Sequence, residues 1–159
     1  MKTNYNRAFF LGSLFFIMSL FLSLQLAVSD DHLPIIGGAS IGPAKLGMTE
    51  EEIKQASADS PCPVEAIFSS GKAVELRTSW GGRCTTPEGM MASTYSARFL
   101  EALYGKPEAV KEETDQYYEG VIVDWWYYHK LGLAFRVMYF KDRGSVVQAI
   151  AVFYNGTDI

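Results

Sequence analysis

Three stretches near the C-terminus, residues 121–129, 133–140 and 145–154, are rich in β-branched and aromatic residues and are separated only by Lys130-Leu131-Gly132 and by residues 141–144. Turns this short join antiparallel neighbours, so the segment reads as a β-meander. Side chains alternate across a strand. With Lys130-Leu131-Gly132 as a three-residue loop, Val123, Trp125, Tyr127 and His129 face the same way as Leu133, Phe135, Val137 and Tyr139. That nearly apolar set is expected to face the core. Asp124, Trp126 and Tyr128 then share the opposite face with Ala134, Arg136 and Met138. In this register Trp126 lies opposite Arg136, close enough for a cation–π contact, and Asp124 lies diagonal to it. Charge mixed with large aromatics is the make-up of partner-binding surfaces. Trp126, Tyr128, Arg136, Asp124 and Met138 are therefore the candidate binding residues. The third strand is apolar on both faces apart from Gln148, which leaves an alternative in which helices or the other half of the protein cover the Trp126 face.

The N-terminus constrains compartment. Lys2 and Arg7 precede a stretch without charge from Ala8 to Ser29, and Asp30-Asp31 follows at once. Small residues stand three and one positions before that break, at Ala27 and Ser29, as in a secretory signal peptide. The apolar run is also long enough, at ~20 residues, to span a bilayer. Residues 1–29 are thus a cleaved signal peptide or an N-terminal anchor with its cations inside. In either case the folded part is exported, periplasmic or secreted, and membrane contact is limited to residues 8–28 of an uncleaved leader. No cysteine stands near the break, which excludes a lipid anchor there. Without Lys2 and Arg7 the formal charge moves from −4 to −6, which argues against nucleic acid and anionic membrane surfaces as partners. The 130 residues after the leader, in a chain 48% hydrophobic and 14% aromatic, are enough for one ordinary domain.

Cys62 and Cys84 are the only two cysteines. An isolated pair in an oxidising compartment ordinarily bridges. They flank a hairpin signal, residues 64–68 and 73–80 around Ser69-Ser70-Gly71-Lys72, so the bridge would staple its open end. A loop of this length predicts a stabilisation of ~3 kcal/mol.

Between these landmarks, residues 30–44 are rich in Gly and Pro and read as a linker or an irregular lead-in strand. Thr49 with Glu52 forms a capping box, Met48 and Ile53 a hydrophobic staple, and the helix stops within residues 57–61. A second helix runs from Ser93/Thr94 to Tyr104, ended by Gly105 and Pro107. Residues 108–120 read as a charged, irregular connector. The two halves, 45–84 and 85–159, each place strands after a helix, and a tandem repeat of about 60 residues is an alternative to a single exported domain over 45–159. The fold class expected is α+β, with short capped helices packed on antiparallel sheets.

Leu46-Gly47-Met48-Thr49 with Ile53 resembles the opening of the BamE-like (SmpA/OmlA) superfamily. So does Tyr104-Gly105-Lys106-Pro107 followed by Trp126-Tyr127-Tyr128, Leu131-Gly132-Leu133 and Phe135. The likeness covers about residues 41–154. A tandem version resembles the β-lactamase inhibitory protein family. The resemblance implies an exported α+β module that works by binding other proteins, with no enzymatic activity and no cofactor. It carries no site residues over, because the matched positions are structural.

Other chemistry is sparse. His129 could act as a base or ligand, but a single His beside a turn is ordinarily neither, and the other His is His32 in the lead-in, so no metal site is expected. Ser93, Thr94 and Ser96 read as caps, without the elbow of a serine nucleophile. Glu108, Glu112, Glu113, Asp115 and Glu119 lack EF-hand spacing and read as a solvated connector. Gly81-Gly82-Arg83 lacks the lysine and helix of a P-loop. Asn155-Gly156-Thr157 is a glycosylation sequon only in a eukaryotic source. The expected function is a non-catalytic protein-interaction or scaffold module of the cell envelope, bound to another envelope or secreted protein. The alternatives are an inhibitor of a secreted enzyme and a small-ligand or lipid binder.

Overall fold

The computed structural model describes residues 32–80, 82–93, 95–113 and 120–155. The leader, 1–29, lies outside them. No helix among the described residues is long and apolar enough to cross a membrane.

The lead-in is strand rather than linker. β1 (Leu33–Ile36), β2 (Ser40–Ile41) and β3 (Ala44–Lys45) form an antiparallel ribbon in which Ile35 pairs with Ile41. Ile35, Ile41 and Ala44 are fully buried. The Gly and Pro residues make the turns of this ribbon, while its isoleucines supply the core, so of the two readings of this stretch the strand holds.

α1 (Glu50–Ser57) begins as its caps dictate. Thr49 is extended, its Oγ1 accepts from the Glu52 N–H at 3.3 Å, and the Glu52 carboxylate accepts the Thr49 N–H at 2.7 Å. Met48 and Ile53 enter the same apolar cluster. β4 (Glu65–Ser69) and β5 (Lys72–Thr78) follow as a hairpin. Its turn is the two residues Ser70 and Gly71, both at positive φ (51° and 75°), a geometry that matches the twist of paired strands. β6 (Cys84–Thr85) runs parallel to β1, which completes a small sheet in the order β3-β2-β1-β6. Cys62 and Cys84 are bridged, with Cα atoms 5.7 Å apart. The bridge ties this small sheet to the chain entering β4.

α2 (Ala97–Tyr104) starts later than Ser93/Thr94, because Ser96 is the residue whose side chain accepts from an N–H of the first turn, that of Phe99. Ser93 sits at φ 70°, and Thr94 lies outside the described residues. Gly105 ends the helix at φ 77°, its N–H donating to the Glu101 carbonyl. The expected connector is strand at its start: β7 (Ala109–Glu113) pairs with β8 (Val121–Tyr128), and residues 114–119 lie outside the described residues.

β9 (Leu133–Phe140) and β10 (Gly144–Phe153) complete the meander, and the six-stranded antiparallel sheet has the order β4-β5-β10-β9-β8-β7. Strands from both halves of the chain thus share one sheet, and the fold class is α+β. The register corrects the expectation. The β8–β9 connection is four residues, 129–132, so Tyr128 pairs with Leu133, Trp126 with Phe135 and Trp125 with Arg136. A one-residue slip exchanges the faces of one strand relative to its neighbour. Gly132 makes the loop possible: it sits at φ 62°, and a Cβ there would lie 2.5 Å from both Phe153 O and Gly38 N. On β10 the pairing shifts between Val147 and Ala149, so Gln148 is a bulge residue. The bulge places Val147, Ile150 and Val152 on one face and Val146, Ala149, Ala151 and Phe153 on the other, which explains a strand apolar on both sides.

Both helices and the small sheet contribute to the apolar cluster on one face of the six-stranded sheet, where Ile53, Leu100, Ile35 and Ile41 meet Leu76, Phe135, Val137, Ile150 and Val152. At the top of that core the Tyr104, Tyr128 and Phe135 rings pack with centroids 5.3–5.8 Å apart. Tyr128 donates to the Gly105 carbonyl, and Tyr104 bonds Glu88 and Thr86. Burial, then the nearby charge of Glu101, pushes the Tyr128 hydroxyl up to about 12, and burial with Glu88 raises Tyr104 further still. Below the ordinary tyrosine value of 10.0 both hydroxyls are neutral in folded and unfolded chains, so their contribution is constant there. Above it the unfolded chain ionises first. Stability is expected to fall as pH rises from 10 towards about 12, checked by chemical denaturation at stepped alkaline pH alongside the phenolate absorbance. Ionisation of these two rings at the ordinary tyrosine pH in the folded protein would refute it.

Candidate binding site

The five sequence-derived residues do not form one surface. Trp126, Tyr128 and Asp124 stand on the helix-covered face. Trp126 is half-buried against the main core, Tyr128 is 2% exposed, and Asp124 sits between Val137 and the like-charged Glu112. Burial, then Glu112, raises the Asp124 carboxyl above its ordinary value. Arg136 and Met138 stand on the opposite face, and Met138 is buried. The four-residue loop is the physical cause of the separation.

The combination expected around Trp126 exists around Trp125 instead. On the face that no helix of the described residues covers, the helix-free face, the centre of the sheet carries Ala134, Ala149 and Ala151, and longer side chains from the same and flanking strands lie around them. Trp125 comes from β8, Arg136 from β9, Glu75 and Arg77 from β5, and Glu113 from the edge strand β7. Small residues in the centre make the face concave. Arg136 donates to both Glu113 carboxylate oxygens, Nε at 2.8 Å and Nη2 at 3.2 Å. The indole N–H of Trp125 donates to the same carboxylate at 2.7 Å. On the other side of the indole, the Arg77 guanidinium lies 4.9 Å from the ring centre, with its Nε held by Glu75. Tyr127 and His129 continue the row, stacked at 5.7 Å. Lys111 lies over Tyr127. Burial raises the Tyr127 hydroxyl, with Glu75 adding to it.

These side chains wall a cleft of about 220 Å³ lined by Pro63, Glu65, Arg77, Gln148, Trp125 and Arg136 among others. The Gln148 Oε1 is buried without a hydrogen-bond partner. Chemically the arrangement is an aromatic ring under one guanidinium group, its N–H sharing a carboxylate with a second, and further carboxylates stand at the rim. Among the described residues no group of three or more His, Cys, Asp or Glu side chains gathers to hold a metal.

The sequence carried signals for these positions. Glu75 and Arg77 alternate with Val74 and Leu76, and Gln148 is the one polar side chain between Val146 and Phe153. Glu113 was hidden in a run of acids whose strand was missed.

Glu113 anchors three strands at once. Its replacement by alanine leaves the Arg136 side chain, only 12% exposed, and the Trp125 N–H without their shared acceptor. Because the Glu113 carboxylate is itself partly solvated, the expected loss is about 1–2 kcal/mol in urea denaturation. An unchanged midpoint would show that solvent replaces it.

Compared with family models, with curated proteins and with solved structures, the chain gives no match.

Proposed function

We propose that this chain is an exported module that works by binding another protein, without catalysis or a cofactor, and that the helix-free face of the six-stranded sheet is its recognition surface. One observation carries the reading: Trp125 is clamped between Arg77 and the Arg136–Glu113 pair beside an open cleft. Oriented tryptophan and arginine, fixed before a partner arrives, are the side chains that dominate binding energy at protein interfaces. The buried Cys62–Cys84 bridge and the leader, in which Lys2 and Arg7 precede an uncharged apolar run, support export. The BamE-like resemblance points to the same class of function.

The test is site-specific photo-crosslinking in the cells that produce the protein. A photoreactive residue at Glu65 or Lys111, on the rim of the helix-free face, is expected to give a discrete adduct with one protein. The same residue at Glu51, on the exposed side of α1, should not. Equal adducts from all three positions, or none from the first two, would overturn the assignment of the face.

A further inference from the structure

The cleft has an internal imbalance that points to a ligand. Arg136 is occupied, since two of its nitrogens donate to Glu113. Arg77 is oriented but not consumed. Glu75 holds its Nε and Trp125 underlies its plane, yet its two terminal nitrogens take no hydrogen-bond partner among the described residues. A planar guanidinium fixed in this way presents a two-pronged donor edge, the geometry that takes a carboxylate. Its side chain is 36% exposed, so the edge is reachable. The same cleft holds two acceptors, the buried Oε1 of Gln148 and the carboxylate of Glu65, which stands opposite Arg77 on β4. Glu65 disfavours a bare anion and favours an N–H beside it. A buried acceptor left unpaired costs free energy that a ligand N–H recovers.

We infer that the cleft takes the C-terminal residue of a polypeptide chain, its terminal carboxylate on the Arg77 guanidinium and its backbone N–H on the Gln148 carbonyl and the Glu65 side. The space, about 220 Å³, suits one residue rather than a long segment. A side-chain carboxylate of Asp or Glu offers no N–H next to its charge. A peptide terminus offers both groups at a fixed spacing, and capture of a terminal carboxylate is a recurring mode of peptide recognition. This inference rests on the proposed binding face and names its partner chemistry.

The test uses the protein as its cells produce it, with N-acetyl-leucine, N-acetyl-leucinamide and leucine as probes, read by the NMR shift of the Trp125 indole N–H. N-acetyl-leucine is expected to bind, and the leucinamide, which lacks the carboxylate, to bind at least roughly tenfold more weakly. Arg77→Lys keeps the charge but loses the fork and should weaken the acid by a similar factor, roughly tenfold. Gln148→Leu, of similar size, should weaken acid and amide alike. Thermal unfolding of both variants confirms that they are folded. Equal binding of acid and amide, no shift at concentrations up to about 10 mM, or full binding by folded Arg77→Lys would overturn the inference. Tighter binding of leucine than of N-acetyl-leucine would overturn the terminus as ligand in favour of a free amino acid. If the crosslinks of the preceding section form while no carboxylate binds, the binding face stands and this inference alone falls.

Discussion

Replacing Phe135 with alanine is expected to cost about 3–5 kcal/mol, the range for a large aromatic removed from a well-packed core. Phe135 is fully buried in β9, a central strand, and pairs with Trp126 on one side and Ile150 on the other. The Tyr104 and Tyr128 rings lie 5.3 Å and 5.8 Å from it, so α2, β8 and β10 all border the space its ring fills. Backbone strands held on both sides cannot collapse into that space, which places the loss at the high end. The same substitution tests the register through a double-mutant cycle. Trp126 shares a face and a pair with Phe135, whereas Trp125 projects to the other side of the sheet. Phe135→Ala and Trp126→Ala should therefore be non-additive by roughly 0.5 kcal/mol or more, and Phe135→Ala with Trp125→Ala close to additive. Coupling to Trp125 rather than Trp126 would mean that the β8–β9 pairing is one residue away from the one described.

What the sequence revealed and what it hid follow from how local each determinant is. Thr49, Glu52 and Gly105 act within one turn of their own helix, so the start of α1 and the end of α2 are readable directly. The meander is readable because β-branched and aromatic runs separated by short turns have few other folds. Its register is not, because it depends on whether His129 belongs to the strand or to the loop, and that is decided by Gly132 meeting Gly38 and Phe153, residues far from it in sequence. One residue of loop length separated Arg136 from Trp126 and joined it to Trp125. The bulge at Gln148 is a second tertiary event, visible in sequence only as a polar residue that fits neither face. β7 was missed, and the lead-in left open between linker and strand, for a different reason: an edge strand made of Ala-Val-Lys-Glu-Glu and a ribbon broken by Gly and Pro have weak intrinsic preference, and it is pairing with β8, and burial of Ile35 and Ile41, that make them strands. The composition of the proposed face was thus legible, while its membership was set by contacts that no single strand encodes.

Removing the bridge in Cys62→Ala/Cys84→Ala is the other large effect expected, about 3 kcal/mol from the loop it closes in the unfolded chain. The two cysteines are 22 residues apart and are 0% and 2% exposed. Their loss therefore removes packed volume as well as a cross-link, and alanine is preferred to serine so that no buried hydroxyl adds its own cost. The effect should be local before it is global. Cys84 belongs to β6, a two-residue strand whose place beside β1 depends on the Leu33 N–H to Arg83 carbonyl bond and on the bridge. So short a strand has little pairing energy of its own, and hydrogen exchange in the variant should rise first at Leu33 and around residues 82–86 while the β8–β10 meander stays protected. The cleft should respond too, because Pro63 follows Cys62 directly, Thr78 lies 3.9 Å from the Cys84 sulfur, and both line the cleft with Arg77. A bridge that serves stability alone would lower the denaturation midpoint and leave the Trp125 indole signal where it is. A bridge that also sets the shape of the cleft would shift that signal at temperatures well below unfolding, and the position of Pro63 and Thr78 makes this second outcome the expected one.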